Sequence, residues 1–218
     1  MTPTAVAPLG PTVGVLALQG AFAAHLSILR DLGVEAVAVK TTEQLASIDA
    51  LVIPGGESTT MSMLLVKGGM LEPLRARVDA GMPVFGTCAG MILCSSEILD
   101  GRDDQHCLGA IPLVSRRNGY GRQIDSFEAD LAIEGFDTPF HGVFIRAPIV
   151  DSVGDDVVVL AEVEGQPVLC QHGPVTVASF HPELSGDVRL HRRWLADAGL
   201  LPSAAEGSPA TASQGVPS

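Results

Sequence analysis

Short apolar runs alternate with helix-spaced polar and apolar positions over the first hundred residues of the chain. Residues 13–18 form one such run, Gln19-Gly20 interrupts it, and Phe22, Leu26 and Leu29 then recur at helical spacing up to Gly33, a residue suited to ending a helix. Residues 34–39 are β-branched and stop at polar Lys40-Thr41-Thr42, and residues 50–53 are again apolar and stop at Pro54-Gly55-Gly56. Both read as buried strands. Ser58 is placed to cap a helix carrying Met61, Leu64 and Leu65; a second helix is predicted over 71–80, and residues 83–85 open another strand. Strand and helix in alternation imply an α/β fold, with a mainly parallel sheet covered by helices on both faces.

After Leu108 the rhythm changes. Apolar segments at 111–114, 127–133, 143–149, 157–163, 168–170 and 175–180 are separated by Gly, Pro, Asn and Asp, so strands are predicted for most of this half. Glu164-Gly165-Gln166-Pro167 and His172-Gly173-Pro174 read as tight turns that add antiparallel strands, giving one mixed sheet. A last helix is predicted from Ser185, with Val188, Leu195 and Ala198 on one face and Trp194 alongside. The predicted core runs from 12 to 200. Residues 1–11 read as a short leader, without Lys or Arg and broken by Pro3, Pro8 and Pro11, unlike a secretory signal. Thirteen of the 18 residues from 201 to 218 are Pro, Ser, Ala or Gly, a composition expected to leave this tail disordered.

Composition narrows the function. The 218 residues carry 13 Lys and Arg against 25 Asp and Glu, a net charge of −12. With no long basic run, this argues against nucleic acid and against an anionic membrane, and favours small substrates or a protein partner. No apolar run approaches the ~18 residues of a membrane span. Cys88, Cys94, Cys107 and Cys170 form no C-x-x-C pair, and reduced cytoplasmic thiols are the simplest expectation.

Three segments carry candidate chemistry. In Gly86-Thr87-Cys88-Ala89-Gly90 a strand runs into a helix through a G-x-C-x-G elbow. Such a turn needs little bulk on either side and lifts the sulfur out of the sheet at a helix N-terminus, where a thiolate is favoured. The other cysteines lack this context and read as structural. Phe180-His181-Pro182-Glu183 supplies a base and its orienter, since residues two apart in an extended segment point the same way and Glu183 can reach the ring of His181 from behind. The remaining histidines, His25 among them, read as solvated or core residues, and no cluster has metal-ligand spacing. Pro54-Gly55-Gly56-Glu57-Ser58 is a loop whose glycines let backbone N–H approach a ligand, though a Gly-Gly loop alone is more often just a turn.

Taken together, Cys88 in G-T-C-A-G, the late H-P-E and the early P-G-G-E resemble class I (triad) glutamine amidotransferases. Leu18-Gln19-Gly20, Gly55-Gly56-Glu57-Ser58-Thr59-Thr60, Arg117-Asn118-Gly119-Tyr120-Gly121-Arg122-Gln123, Asp125-Ser126-Phe127-Glu128 and Phe144-Ile145-Arg146-Ala147-Pro148 narrow the resemblance to the glutaminase subunits of pyridoxal 5'-phosphate synthase, over residues 13–198. It implies a three-layer, flavodoxin-like sandwich with a mixed, mainly parallel central sheet. It also implies hydrolysis of L-glutamine by Cys88, His181 and Glu183 without a cofactor. Gly55, Gly56, Glu57, Arg117, Ile145 and Arg146 would bind glutamine, and backbone N–H groups of Gly56 and Ala89 would form the oxyanion hole. Ammonia would pass to a separate synthase subunit in a hetero-oligomeric complex, and docking would switch the glutaminase on. A triad subunit serving another synthase, a cysteine hydrolase of related fold and a non-catalytic scaffold subunit are the alternatives.

Overall fold

A computed structural model of the chain describes residues 10–117 and 126–201. Its centre is a seven-stranded sheet. In chain order the elements begin β1 (Thr12–Leu16), α1 (Phe22–Asp31), β2 (Glu35–Val39), α2 (Thr42–Ala46), β3 (Ala50–Ile53), α3 (Ser58–Lys67), α4 (Leu71–Asp79), β4 (Val84–Thr87) and α5 (Ala89–Cys94). There follow β5 (Ser95–Ile98), β6 (Ile111–Arg116), β7 (Ser126–Leu131), β8 (Phe140–Ile145), β9 (Ile149–Val153), β10 (Val158–Val163), β11 (Gln166–His172), β12 (Val175–Ala178), a 3-10 turn at Pro182–Leu184 and α6 (Arg189–Asp197). The central order is β10-β11-β12-β4-β3-β1-β2. From β12 to β2 every pairing is parallel, and β10 and β11 extend the sheet antiparallel.

The parallel strands are apolar along their length because both faces are covered. Val13, Val15, Val52 and Phe85 point into one core with Leu26 and Leu29 of α1 and Leu190, Trp194 and Leu195 of α6. Leu16, Leu51, Ile53 and Val84 point into the other, with Met61 and Leu65 of α3, Leu74 and Val78 of α4 and Leu93 of α5. These are the layers of the predicted sandwich.

The later strands do not all join one sheet. β5, β6 and β9 form a three-stranded sheet and β7 and β8 a two-stranded one. In β6 buried Ile111, Leu113 and Ser115 alternate with less buried neighbours, so this strand lies on the core with one face instead of entering the doubly covered centre. The run at 143–149, read as one strand, is broken between β8 and β9. Pro148 has no N–H for a ladder, and Arg146 has φ +46°, outside the strand region. Helix α3 is capped by Glu57, not by Ser58: the Glu57 side chain accepts from the N–H of Thr59 and Thr60. Helix α6 starts at Arg189, after the 3-10 turn. Helix α2 was not foreseen, although Thr41 and Gln44 form a reciprocal capping box at its start.

Sheet order positions the site. The segments after β12, β4, β3 and β1 leave the carboxyl edge side by side, where open α/β sheets bind their ligands. Those segments contain His181, Cys88, Gly55-Gly56 and Gln19.

Candidate active site

Cys88 is the residue between β4 and α5, with φ +50° and ψ −106°. A non-glycine residue there is strained, and the surroundings hold it: its N–H donates to Ala178 O at 2.8 Å, and its carbonyl accepts from Ile92 N–H at 3.3 Å. The flanking glycines make the turn possible. A Cβ on Gly90 would lie 2.0 Å from Ile53 O, and one on Gly86 2.7 Å from Gly90 O. Cys88 is 7% exposed, and its Sγ lies 3.9 Å from Ile145 O.

His181 leaves the end of β12 with its N–H donating to Val143 O at 2.8 Å, and Pro182 then starts the 3-10 turn that brings Glu183 back beneath the ring. His181 Nδ1 is 2.8 Å from Glu183 Oε1, and both residues are buried. Burial works against a charged ring, but hydrogen bonding and charge from Cys88 and Glu183 outweigh it and raise the His181 pKa to about 10. Burial likewise disfavours the Glu183 carboxylate, yet its hydrogen bond to His181 and its contact with His25 prevail and hold it well below the usual carboxylate range.

Because the folded pKa of His181 lies above the usual ~6.5, its charged state stabilises the fold fully below that pH, and this contribution is lost as pH rises towards 10. An NMR titration of the His181 ring protons should therefore have its midpoint near 10, and Cys88→Ala should move it down. A midpoint near 6.5 in the parent chain would contradict this coupling.

The third segment packs directly onto these groups. A Cβ on Gly55 would meet His181 Cε1 at 2.4 Å and Cys88 Cβ at 3.4 Å, so only glycine allows the loop to lie so close. Gln19 Oε1 accepts from the N–H of Glu57 at 2.9 Å and ties this loop to the segment after β1. Glu57 Oε1 accepts from Thr59 N–H at 3.1 Å, and Oε2 from Thr60 N–H at 2.7 Å and Thr60 Oγ1 at 2.6 Å. Against a burial penalty, these bonds, led by those from Thr60, lower the Glu57 pKa to about 2. Arg117 Nη1 donates to Thr59 Oγ1 at 2.8 Å and to Gln105 Oε1 at 3.1 Å, while Nη2 pairs with Glu57 Oε1 at 3.3 Å.

Between these walls lies a pocket of about 310 Å³. It is lined by Gln19, Gly56, Glu57, Ser58, Cys88, Ala89, Ile92, Arg117, Ile145, Arg146 and His181. The structure thus brings together at one pocket Gly56, Glu57, Cys88, Ala89, Arg117, Ile145, Arg146 and His181. Gly55 packs on the His181 ring and Glu183 lies behind it. Sequence reasoning assigned no role to Gln19, Gln105 or His25. Gln19 was visible within Leu18-Gln19-Gly20; the other two become neighbours of the site only through folding. Asn118 to Gln123 and Asp125 lie outside the described residues, as do residues 1–9 and 202–218.

Cys94 and Cys170 are buried away from this pocket, and burial pushes both thiols up to about 12. Among the described residues no group of three or more His, Cys, Asp or Glu is placed to hold a metal ion, and no helix is long and apolar enough to cross a membrane.

The sequence and the fold have counterparts among known proteins. A protein described as pyridoxal 5'-phosphate synthase subunit PdxT from Mycobacteroides abscessus is 55% identical over 184 residues, covering 84% of this chain and 95% of its own length. One of the same description from Mycolicibacterium vanbaalenii is 55% identical over 190 residues, covering 85% of this chain and 97% of its own. A crystal structure described as a glutamine amidotransferase superposes with a TM-score of 0.81 at 48% identity, covering 86% of this chain and 98% of that one. A chain in the structure of PurLQS from Thermotoga maritima, at 20% identity and a TM-score of 0.61 over 86% of this chain and 99% of its own, shares the fold. Residues 15–198, which span the elbow, the Gly-Gly loop and the His-Pro-Glu turn, match as one unit, and the chain belongs to the SNO glutamine amidotransferase family.

Proposed function

We propose that this chain is the glutaminase subunit of a pyridoxal 5'-phosphate synthase, hydrolysing L-glutamine and passing ammonia to a partner synthase subunit. The observation that carries the reading is the convergence of Cys88, on its strained turn, and of His181, backed by Glu183, on one pocket also lined by Glu57 and Arg117. The PdxT relatives supply the synthase, the partner and the setting in pyridoxal phosphate synthesis. The catalytic unit would span 12–200, and four free thiols suit a reducing cytoplasm.

In this reaction the Cys88 thiolate attacks the side-chain amide carbon. The oxyanion is held by backbone N–H groups of Ala89, the first residue of α5, and of Gly56. As the C–N bond breaks, His181 gives its proton to the departing nitrogen, leaving a glutamyl thioester and ammonia. The neutral ring then takes a proton from water; the hydroxide attacks the thioester, and glutamate leaves with the thiolate restored. Glu183 holds the ring orientation and stabilises its charge. The guanidinium of Arg117 suits the α-carboxylate of glutamine and the Glu57 carboxylate suits the α-ammonium, with Ile145 and Arg146 lining the same pocket.

The test is glutamate release from glutamine by the chain alone and mixed with its synthase subunit. Release that rises at least about tenfold with the partner is expected. No release in the mixture, with both proteins folded, would remove the reading in favour of another synthase or a scaffold role.

A further inference from the structure

Behind the triad lies a pair of histidines that the reaction above does not use. His25, on α1, and His191, on α6, are both fully buried. His25 Nδ1 lies 2.9 Å from His191 Nε2, and the two rings are tilted by 51°. On its other side His25 Nε2 lies 3.3 Å from Glu183 Oε2 and 3.4 Å from Thr87 Oγ1. That carboxylate oxygen is buried and has no well-aligned hydrogen bond of its own, whereas its sister Oε1 binds His181. The groups therefore form a line, Cys88, His181, Glu183, His25 and His191, running from the pocket into the core beneath Phe85 and Trp194.

The proton positions follow from the contacts. A bare nitrogen lone pair against a buried carboxylate oxygen is repulsive, so His25 Nε2 carries a proton in any charge state of the ring. Burial foremost, and then the neighbouring His25, push the His191 pKa down to about 3, so His191 is neutral. Towards a neutral His25, it carries its single proton on Nε2 and donates to the bare Nδ1 of His25. Its own Nδ1, which has no partner, is then an unprotonated acceptor. His191 thereby fixes the His25 tautomer that points a proton at Glu183.

We propose that His25 is a positioning residue of the glutaminase, its Nε2–H holding the free oxygen of Glu183 so that the carboxylate keeps the His181 ring aimed at Cys88, with His191 setting the tautomer. The proposal rests on the glutaminase reading above. Neither histidine touches substrate. A carboxylate held by one oxygen alone can pivot about its Cγ–Cδ bond and carry the His181 ring with it, and misplacement by about 1 Å can cost on the order of 100-fold in rate.

Two variants of the full chain, assayed with the synthase subunit, test this. The amide nitrogen of His25→Gln reaches the place of the imidazole Nε2, whereas that of His25→Asn reaches only the place of Nδ1. The expected result is kcat within about threefold of the parent for His25→Gln, and a fall of roughly 10- to 100-fold for His25→Asn, with KM for glutamine unchanged in both. Equal rates in the two variants, or a loss confined to KM, would overturn the proposal. NMR of the parent chain with 15N-labelled histidine is independent of both variant folding and activity: a His25 ring protonated on Nε2 supports the proposal, and one with bare Nε2 overturns it. A parent chain inert with its partner would instead remove the glutaminase reading, and the tautomer would still decide the contact.

Discussion

Cys88→Ala is expected to lower glutamate release by about 10⁴-fold or more while the chain still folds. The sulfur is the one group in the pocket that can form the thioester, and His181 and Glu183 have no nucleophile to serve without it. Members of a triad act as a unit, so losing one forfeits nearly the whole advantage of covalent catalysis; substrate binding and the oxyanion donors account for the residue of rate. Stability should fall, but by less than the several kcal/mol that hold a domain folded. Alanine is also a non-glycine residue, so it meets the same φ of +50°, and it keeps the N–H bond to Ala178 O. The sulfur 3.9 Å from Ile145 O is lost together with its hydrogen bond and charge interaction with His181, so a loss of about 1 to 3 kcal/mol is expected. Glutamate measured with the synthase subunit present, beside a thermal melt of each chain, checks both halves. Activity within tenfold of the parent would mean that another group carries the chemistry.

The parts of this molecule that could be read from sequence are those whose cause is local. Apolar runs closed by Gly or Pro marked β1, β3 and β4, because a strand buried on both faces has no polar alternation to confuse it with anything else. The elbow was visible because its turn restricts bulk at Gly86 and Gly90, a requirement written in adjacent residues. His181 and Glu183 were visible as a pair because two residues suffice to bring them together. What stayed hidden depends on distant partners. His25 read as a solvated or core histidine, and it is a core one, yet its ring faces Glu183 from 158 positions away. Gln105 supports Arg117 and Thr59 through side-chain bonds that no spacing announces. The separation into three sheets likewise depends on where β6 and β9 settle, and only Pro148 beside Arg146 hinted at the break. The family resemblance alone assigned Arg117, Ile145 and Arg146 to glutamine binding, and all three line the pocket.

Gly90→Ala sets two physical effects against each other. Gly90 is the second residue of α5, and helix propensity alone predicts that alanine there stabilises the chain by about 1 kcal/mol. Packing predicts the reverse. The added Cβ would stand 2.0 Å from the carbonyl oxygen of Ile53, 2.8 Å from its carbonyl carbon and 3.2 Å from its Cβ. The first two are backbone atoms at the end of a central strand paired on both sides, so no side chain can swing away. Either α5 retreats from the sheet or the end of β3 is pushed out. Overpacking of this kind costs about 1 to 3 kcal/mol even where side chains can adjust, so about 3 kcal/mol or more is expected here, outweighing propensity. For a domain of this size that lowers Tm by roughly 6 to 12 °C. The displacement also reaches the chemistry, because α5 begins at Ala89 beside Cys88 and β3 leads directly into Gly55 and Gly56. Glutamate release by the folded fraction should therefore fall at least about tenfold, since displacement by about 1 Å suffices for that. A melt with the variant at or above the parent Tm would show that the sheet end yields more easily than its pairing implies. A lower Tm with unchanged kcat would show that the helix moves away from the sheet without carrying Cys88 with it.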